Sequence, residues 1–174
     1  IPRMLQEQGH QDRLRGLEDV ANRARDIFSI GAFSAILEEA GSREPPPVVR
    51  IAGNDWARHP RLSEMLEVLE AERDVPVRFL GPSTELADPA FAARIAQLPT
   101  LDGITLTLQS VDNARHDKAV GRPGAAAQVK EAFENLLATD ATVWVNVGLV
   151  RDTLLELPEL LQWFRARDVT CAMH

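Results

Sequence analysis

The sequence predicts an α/β fold in which short parallel strands alternate with helices. Apolar runs rich in β-branched residues begin near residues 48, 75, 104, 142 and 169, at intervals of 27, 29, 38 and 27 residues. Each interval contains apolar residues at helical spacing and is long enough for a right-handed crossover helix. Two architectures fit this alternation, a doubly wound open sheet and part of a (β/α) barrel. No Gly-x-Gly-x-x-Gly motif follows any of the runs, which argues against the dinucleotide-binding form of the open sheet.

The helices are predicted from apolar residues that recur at helical spacing. Residues 1–13 are polar and irregular, and the first helical pattern starts at Leu14, with Gly31 as a candidate interruption. The three prolines within residues 41–47 predict a loop there, because proline is excluded from helix interiors. The apolar positions of the five predicted helices are Leu17, Val20, Ala21, Ala24, Ile27 and Phe28; Leu62, Met65, Leu66 and Leu69; Phe91, Ile95 and Leu98; Val129, Phe133, Leu136 and Leu137; and Leu157, Leu160, Leu161 and Phe164.

Strands are predicted near 48–52, 76–80, 104–108, 142–147 and 169–172. The first run is followed by a break at Gly53 and by the polar pair Asn54 and Asp55. In α/β proteins, ligands bind at the carboxyl ends of the strands, where glycine permits close approach and a carboxylate can hold a cation. This loop therefore either binds a ligand or forms a tight βα turn in which Asp55 is an exposed loop acid, and the loop alone favours the second.

Composition and charge limit the classes of function. The 174 residues are 45% hydrophobic, which is enough for a substantial core in one domain. The formal net charge of −7, with dispersed acids, argues against a nucleic-acid partner, which requires a basic patch. No apolar run approaches the ~20 residues that span a bilayer and no signal peptide opens the chain, so we expect a cytoplasmic protein without a membrane partner. The single cysteine, Cys171, excludes an internal disulfide framework and any cluster held by three cysteines of these residues.

Three stretches resemble the motifs of the radical S-adenosylmethionine (radical SAM) enzymes. Residues 49–60 resemble that family's strand and loop "Val-x-x-x-Gly-Gly-Glu-Pro-x-x-His-Pro". Residues 104–110 are similar to "Val-x-Val-Ser-Leu-Asp-Gly", and residues 116–124 to "His-Asp-x-x-x-Gly-x-x-Gly". The resemblance extends over roughly residues 14 to 174, and the second and third motifs together are its most specific part.

The resemblance implies a radical SAM-like (β/α)6 core that lacks its first strand. Such enzymes bind SAM to a [4Fe–4S] cluster held by a Cys-x3-Cys-x2-Cys loop after the first strand, and generate a 5′-deoxyadenosyl radical. Ile1 is not an initiator methionine and the last strand stops as it forms, so we expect residues 1–174 to be one partial barrel domain of a longer chain. The cluster ligands are then expected upstream of Ile1. The implied partners are a small-molecule or peptide substrate and a reductant such as a flavodoxin or ferredoxin.

The resemblance also implies which residues contact SAM. Backbone carbonyls of Ala52 and Gly53 and the carboxylate of Asp55 are expected at the methionine amino group. Thr107 stands at the serine position that faces the ribose or carboxylate. The full predicted cofactor-binding set is Ala52, Gly53, Asn54, Asp55, Ser83, Thr107, Gln109 and Asn146.

The sequence departs from the family motifs at several of these positions. Asn54 replaces the second glycine, Asp55 shortens the glutamate by one methylene, and Trp56 replaces the proline. Residues 81–83 replace Thr-Asn-Gly, and Gln109 with Ser110 replaces Asp-Gly. Trp56 either shapes the ligand pocket or packs against the second predicted helix. His116 either contacts the ligand or, with Asp117, braces the turn before the helix that follows.

Three functions remain open at this stage. The first is a radical SAM enzyme core whose substrate and catalytic residues are unknown. The second is a degenerate radical-SAM-like barrel that has lost the cluster and serves as a binding or scaffolding module. The third is an unrelated (β/α) barrel enzyme, since a fold alone does not define an activity.

Overall fold

The computed structural model describes residues 29–53, 55–81, 84–148, 151–167 and 169–173, with the backbone alone at 152, 153 and 170–173. The helix predicted from Leu14 falls mostly outside these residues. The chain divides into two compact units, residues 1–39 and 40–174. In the first unit the described part is most of helix α1 (Ile30–Gly41), which begins when Ser29 Oγ accepts a hydrogen bond from Ala32 N. Gly31 lies inside α1 and does not interrupt it.

The second unit alternates strands and helices in the predicted order. Its elements are β1 (Val49–Ala52), α2 (Leu62–Ala71), β2 (Val77–Leu80), α3 (Pro89–Ala96), β3 (Leu101–Thr107), α4 (Asn113–Val120), α5 (Ala125–Leu137), β4 (Val143–Val147), α6 (Arg151–Arg165) and β5 (Thr170–Met173). Short 3₁₀ turns at Trp56–Arg58 and Glu85–Ala87 lie between a strand and the next helix.

The five strands form one parallel sheet in the order β1-β2-β3-β4-β5. Ile51 pairs with Phe79, Phe79 with Ile104, and Ile104 with Val143. The predicted parallel strands in sequential order are therefore confirmed. In a doubly wound sheet the strand order reverses at one point, whereas here it does not. The fold is therefore an α/β fold compatible with part of a (β/α) barrel.

The two faces of the sheet differ sharply in burial. Side chains of one face are almost fully buried, among them Phe79, Ile104 and Val145, and α5 contacts β3 and β4. On this side Phe133 and Leu136 of α5 are completely buried. This face contains most of the apolar surface that the sheet removes from water, which is the main favourable term in folding.

The opposite face contains most of the polar side chains of the sheet and ranges from exposed at Arg50 and Ala52 to buried at Gly103 and Thr105. We call it the polar face: Arg50, Ala52, Arg78, Leu80, Asp102, Gly103, Thr105, Thr107, Trp144 and Asn146. A register shift between β2 and β3 at Val77 and Arg78 places Asp102 beside Arg78, as β-bulges re-aim a side chain. The carboxylate Oδ2 of Asp102 lies 2.5 Å from both Nε and Nη2 of Arg78. The guanidinium also lies 4.7 Å from the ring centre of Trp144.

Helix α4 is an element that the sequence analysis did not predict. It contains few apolar residues, so no apolar helical period marks it. Its ends nevertheless follow ordinary capping rules. The Asp112 carboxylate accepts a hydrogen bond from Arg115 N at the start, and Gly121 ends the helix with φ of 70°. His116 and Asp117, which the sequence analysis placed ahead of the turn before the next helix, are themselves part of α4.

Gly103 tests the packing of the polar face. A Cβ at this position would meet the Thr142 carbonyl oxygen at 2.8 Å and Trp144 Nε1 at 2.9 Å. We expect Gly103→Ala to lower the free energy of unfolding by about 1–3 kcal/mol, the usual range for overpacking. The control is Gly31→Ala, whose Cβ would meet Ser29 Oγ at 3.9 Å and which should be neutral or stabilising in a helix. Urea unfolding measures both, and equal stability of the two variants would contradict the packing shown here.

Candidate functional site

The carboxyl ends of β1 to β4 lie along one edge of the sheet, because all four strands are parallel and in register. We call this edge the rim and define it by Gly53, Gly81, Gln109 and Gly148, the residues that follow or closely follow the four strands. Adjacent rim loops touch. The Gly53 carbonyl oxygen is 2.8 Å from the position of a Cβ on Gly81, and Gly148 N donates to Gln109 Oε1 at 3.0 Å.

Gly81 is required by this close approach. Its φ of +101° is a conformation that side chains with a Cβ rarely adopt. Its N–H donates to the Thr105 carbonyl at 3.0 Å, which fixes the loop after β2 against β3. The backbone of β1 and that of β2 therefore meet at the rim without an intervening side chain.

Asp55 lies in the loop after β1, with a side chain that is only 15% exposed. Its Oδ2 accepts a hydrogen bond from Thr84 Oγ1 at 3.0 Å and lies 3.4 Å from Arg58 Nε. The expectation of an exposed loop acid is therefore wrong. Asp55 joins the loops after β1 and β2, and neither Thr84 nor Arg58 was singled out from the sequence.

The other carboxylate oxygen of Asp55 has a different environment. Oδ1 is buried and accepts no hydrogen bond from the part of the chain that the structure describes. A buried acceptor that lacks a donor costs about 1–3 kcal/mol, and more when the group is charged. Among the described residues this oxygen is therefore an acceptor without a donor, and a cationic donor would satisfy it.

Thr107 and Asn146 lie side by side at the ends of β3 and β4. Their Cα atoms are partners in the parallel register, so both side chains project from the polar face close to the rim. Asn146 Oδ1 is buried and has no hydrogen-bond partner among the described residues. Two of the predicted positions therefore adjoin, and one of them offers a second acceptor near the rim.

Gln109 connects two rim loops instead of pointing freely outward. Its side-chain Oε1 accepts from Gly148 N, and its own backbone N–H donates to His116 Nδ1 at 3.1 Å. The oxygen is therefore occupied by the β4 loop, which leaves the amide nitrogen Nε2 as the donor for a ligand.

The remaining predicted positions are less informative. Ala52 and Gly53 are exposed at the end of β1, as expected for residues that offer backbone carbonyls. Asn54 and Ser83 lie outside the described residues. Trp56 is 5% exposed and packs on Phe79, at 4.3 Å between ring centres, and on Phe91 at 6.1 Å. It is thus a core residue that packs on β2 and α3, and the 3₁₀ turn that contains it also contacts α2, the predicted second helix.

An ionic network around the buried carboxylate of Glu156 lies next to the rim, and the sequence analysis missed it. Glu156 of α6 is 7% exposed and accepts a short hydrogen bond from Ser110 Oγ, next to Gln109. Arg115 Nη1 donates to the other oxygen of Glu156 at 2.6 Å. The Ser110 hydrogen bond, followed by the Arg115 guanidinium, holds the pKa of Glu156 below its usual range. No local sequence pattern indicated this pair, because 46 residues separate Ser110 from Glu156.

Asp117 braces the turn before α5, which is one of the two roles that the sequence analysis left open, whereas His116 contacts the loop after β3. Asp117 accepts hydrogen bonds from Gly124 N and Ala126 N at the start of α5, and these lower its pKa. His116 is 2% exposed, and its Nδ1 accepts the Gln109 N–H. Burial lowers the pKa of His116, against a smaller opposing effect of Asp117. His116 is therefore held in its neutral form, in which Nδ1 accepts the Gln109 N–H and fixes the rim loop after β3.

The described part of the chain contains no group of three or more His, Cys, Asp or Glu residues arranged to hold a metal ion. Within the same residues no helix combines the length and the apolarity needed to cross a membrane.

The neutral state of His116 predicts a pH dependence of stability. A histidine with a depressed pKa in the folded state binds fewer protons folded than unfolded, so stability falls as pH drops below its ordinary value of about 6.5. The variant His116→Asn keeps an acceptor for Gln109 N–H but does not titrate. Between pH 7.5 and 5.5, we expect its free energy of unfolding to fall by about 1 kcal/mol less than that of the parent. Urea unfolding at the two pH values measures the difference. Identical pH dependence in parent and variant would show that His116 titrates normally.

Comparison with known proteins adds no family to this picture. The sequence matches no protein-family model, and no curated protein matches it significantly. The chemistry of the rim therefore rests on its residues and their geometry.

Proposed function

We propose that this chain is the core of a radical SAM enzyme and that it binds SAM at the rim. The observation that carries the proposal is the carboxylate oxygen Oδ1 of Asp55. Oδ1 is buried and lacks a donor among the described residues, while Oδ2 is fixed by Thr84. The ammonium group of a methionine moiety supplies the missing donor as a charge-assisted hydrogen bond.

The other rim residues fit a ligand of the same kind. Ala52 and Gly53 are exposed residues, and their backbone carbonyls are further acceptors for an ammonium group. Thr107 and Asn146 offer a hydroxyl and an amide to the ribose, and Gln109 offers its Nε2. Asn54 and Ser83 complete the proposed cofactor-binding set.

The sheet is suited to this role because of its strand order. Strands in sequential order bring four loops to one rim, which is where (β/α) barrels bind their ligands. We propose that β1 to β5 are strands of a radical SAM-like (β/α)6 core that lacks its first strand. The polar face then lines the barrel interior.

In this proposal the [4Fe–4S] ligands are cysteines of the full-length protein outside these residues, since Cys171 is the single cysteine here. When bound to the reduced cluster, SAM supplies a 5′-deoxyadenosyl radical. The residues of this chain bind SAM, orient it and exclude water from it. A flavodoxin or ferredoxin supplies the electron, and the substrate is a small molecule or a peptide.

A degenerate barrel that binds a ligand without a cluster is the second candidate. The departures at Asn54, Asp55 and Trp56 favour it, because each alters the loop that meets the ligand. Trp56 in particular has become part of the core. The two candidates differ in iron content and share the ligand-binding rim.

Asp55→Asn tests the site assignment. The change keeps the shape of the side chain but removes its charge, and we expect it to weaken SAM binding by roughly 1.5–3 kcal/mol, about ten- to hundredfold in Kd. Loss of the Arg58 pair should cost no more than about 1 kcal/mol of stability. Asp55→Glu should retain binding. Calorimetric titration of the reconstituted full-length protein measures these effects.

The control for this experiment is Asp74→Asn. Asp74 is an exposed acid in the loop before β2, at the opposite end of the strands, and its loss should leave SAM affinity unchanged. If Asp55→Asn binds SAM as tightly as the parent, Asp55 is structural and the proposed site is wrong.

The cluster predicts the iron content of the full-length protein. Purified without oxygen, it should be brown and contain about four irons per chain, whereas residues 1–174 alone should bind none, because they lack the cysteine ligands. Iron analysis and the visible absorption spectrum measure this. SAM binding by a full-length protein without iron would favour the degenerate barrel.

A further inference from the structure

Arg58 lies at the rim against the carboxylate of Asp55. Its Nε is 3.4 Å from Asp55 Oδ2 and 3.7 Å from Glu85 Oε1. The Arg58 side chain is 67% exposed, whereas Asp55 is 15% exposed. Asp55 is therefore the shielded member of the group, and the guanidinium extends from it towards solvent.

The charges of this group match one end of an α-amino acid. An α-amino acid carries an ammonium and a carboxylate on the same carbon atom. Asp55 and Arg58 present a negative and a positive group side by side, so each of the two ligand charges meets its opposite. With Glu85 the group carries a net charge of −1, which complements the net charge of +1 on SAM, the sum of a sulfonium, an ammonium and a carboxylate.

We propose that Arg58 binds the α-carboxylate of the ligand whose ammonium group is held by Asp55. This inference rests on the proposed function and assigns a residue that sets its selectivity. A guanidinium has five N–H donors, so the contacts of Nε with Asp55 and Glu85 leave donors for a carboxylate. The Glu85 carboxylate is 48% exposed and lies 3.7 Å from Nε, so the Nη1 and Nη2 donors of Arg58 are the ones that meet the ligand carboxylate.

Arg61 shows why Arg58 is singled out. Arg61 lies three residues further along the chain and is 45% exposed, and it donates through both Nε and Nη2 to the two oxygens of Glu64, at 2.9 and 2.6 Å. The contacts of Arg58 at 3.4 and 3.7 Å are longer than hydrogen bonds, so its donors are not engaged in the same way. Arg61 is therefore a nearby control of the same residue type.

The experiment compares two ligands on the reconstituted full-length protein. SAM carries the carboxylate, and decarboxylated SAM keeps the sulfonium and the ammonium but lacks it. We expect the parent to bind SAM about tenfold more tightly than decarboxylated SAM, the size of one charge-assisted hydrogen bond at a partly exposed site. Arg58→Gln should remove this preference by weakening SAM alone, Arg58→Lys should restore part of it, and Arg61→Gln should retain it fully.

The outcomes separate this inference from the proposed function. If the parent binds SAM and Arg58→Gln keeps the parent's preference for the carboxylate, Arg58 does not contact the ligand and the inference fails alone. If Arg58→Gln weakens both ligands equally, Arg58 only positions Asp55, and the inference again fails. If the parent binds neither ligand, the proposed function fails and the inference with it.

Discussion

Parallel pairing of the strands in chain order is the constraint on which the rest of this structure depends. It brings the ends of β1 to β4 to one edge, so that residues far apart in sequence become neighbours. Asp55 reaches Thr84 across 29 residues, and Gln109 reaches Gly148 across 39. No single loop builds the rim, and each of these contacts requires the neighbouring strand to be in register.

The register in turn depends on positions where a side chain is absent. Gly81 lets the β2 loop approach the carbonyl of Gly53, and Gly103 lets the indole of Trp144 lie close to β3. The bulge at Asp102 then supplies the carboxylate that meets Arg78 above Trp144. The polar face thus depends on the missing side chain of Gly103, the extra residue Asp102 in the bulge and the ring of Trp144. Hydrophobic periodicity in the sequence marks none of these three.

Much of the fold was predictable from the sequence, because burial leaves a periodic trace. Each predicted strand, and each predicted helix from Leu62 onward, coincides with an observed element. Helix α4 was missed, since its stability comes from the cap at Asp112 and from Gly121 more than from an apolar stripe. At the rim, the motif resemblance identified Asp55, Thr107 and Asn146. It gave no indication of Thr84, Arg58 or Glu156, whose roles arise from tertiary contacts that leave no pattern in the chain.

The network next to the rim shows why polar groups are buried there at all. Glu156 and His116 are taken out of water at a cost that apolar residues would not incur, and such groups persist where they fix one arrangement over others. Glu156 holds Ser110, and His116 holds the backbone of Gln109, so consecutive residues of the β3 loop are fixed from α6 and from α4. Gln109 then holds the β4 loop through Gly148. The rim is therefore preorganised by groups that a ligand at the rim need not touch, and the cost of ordering its loops is met in folding and not in binding.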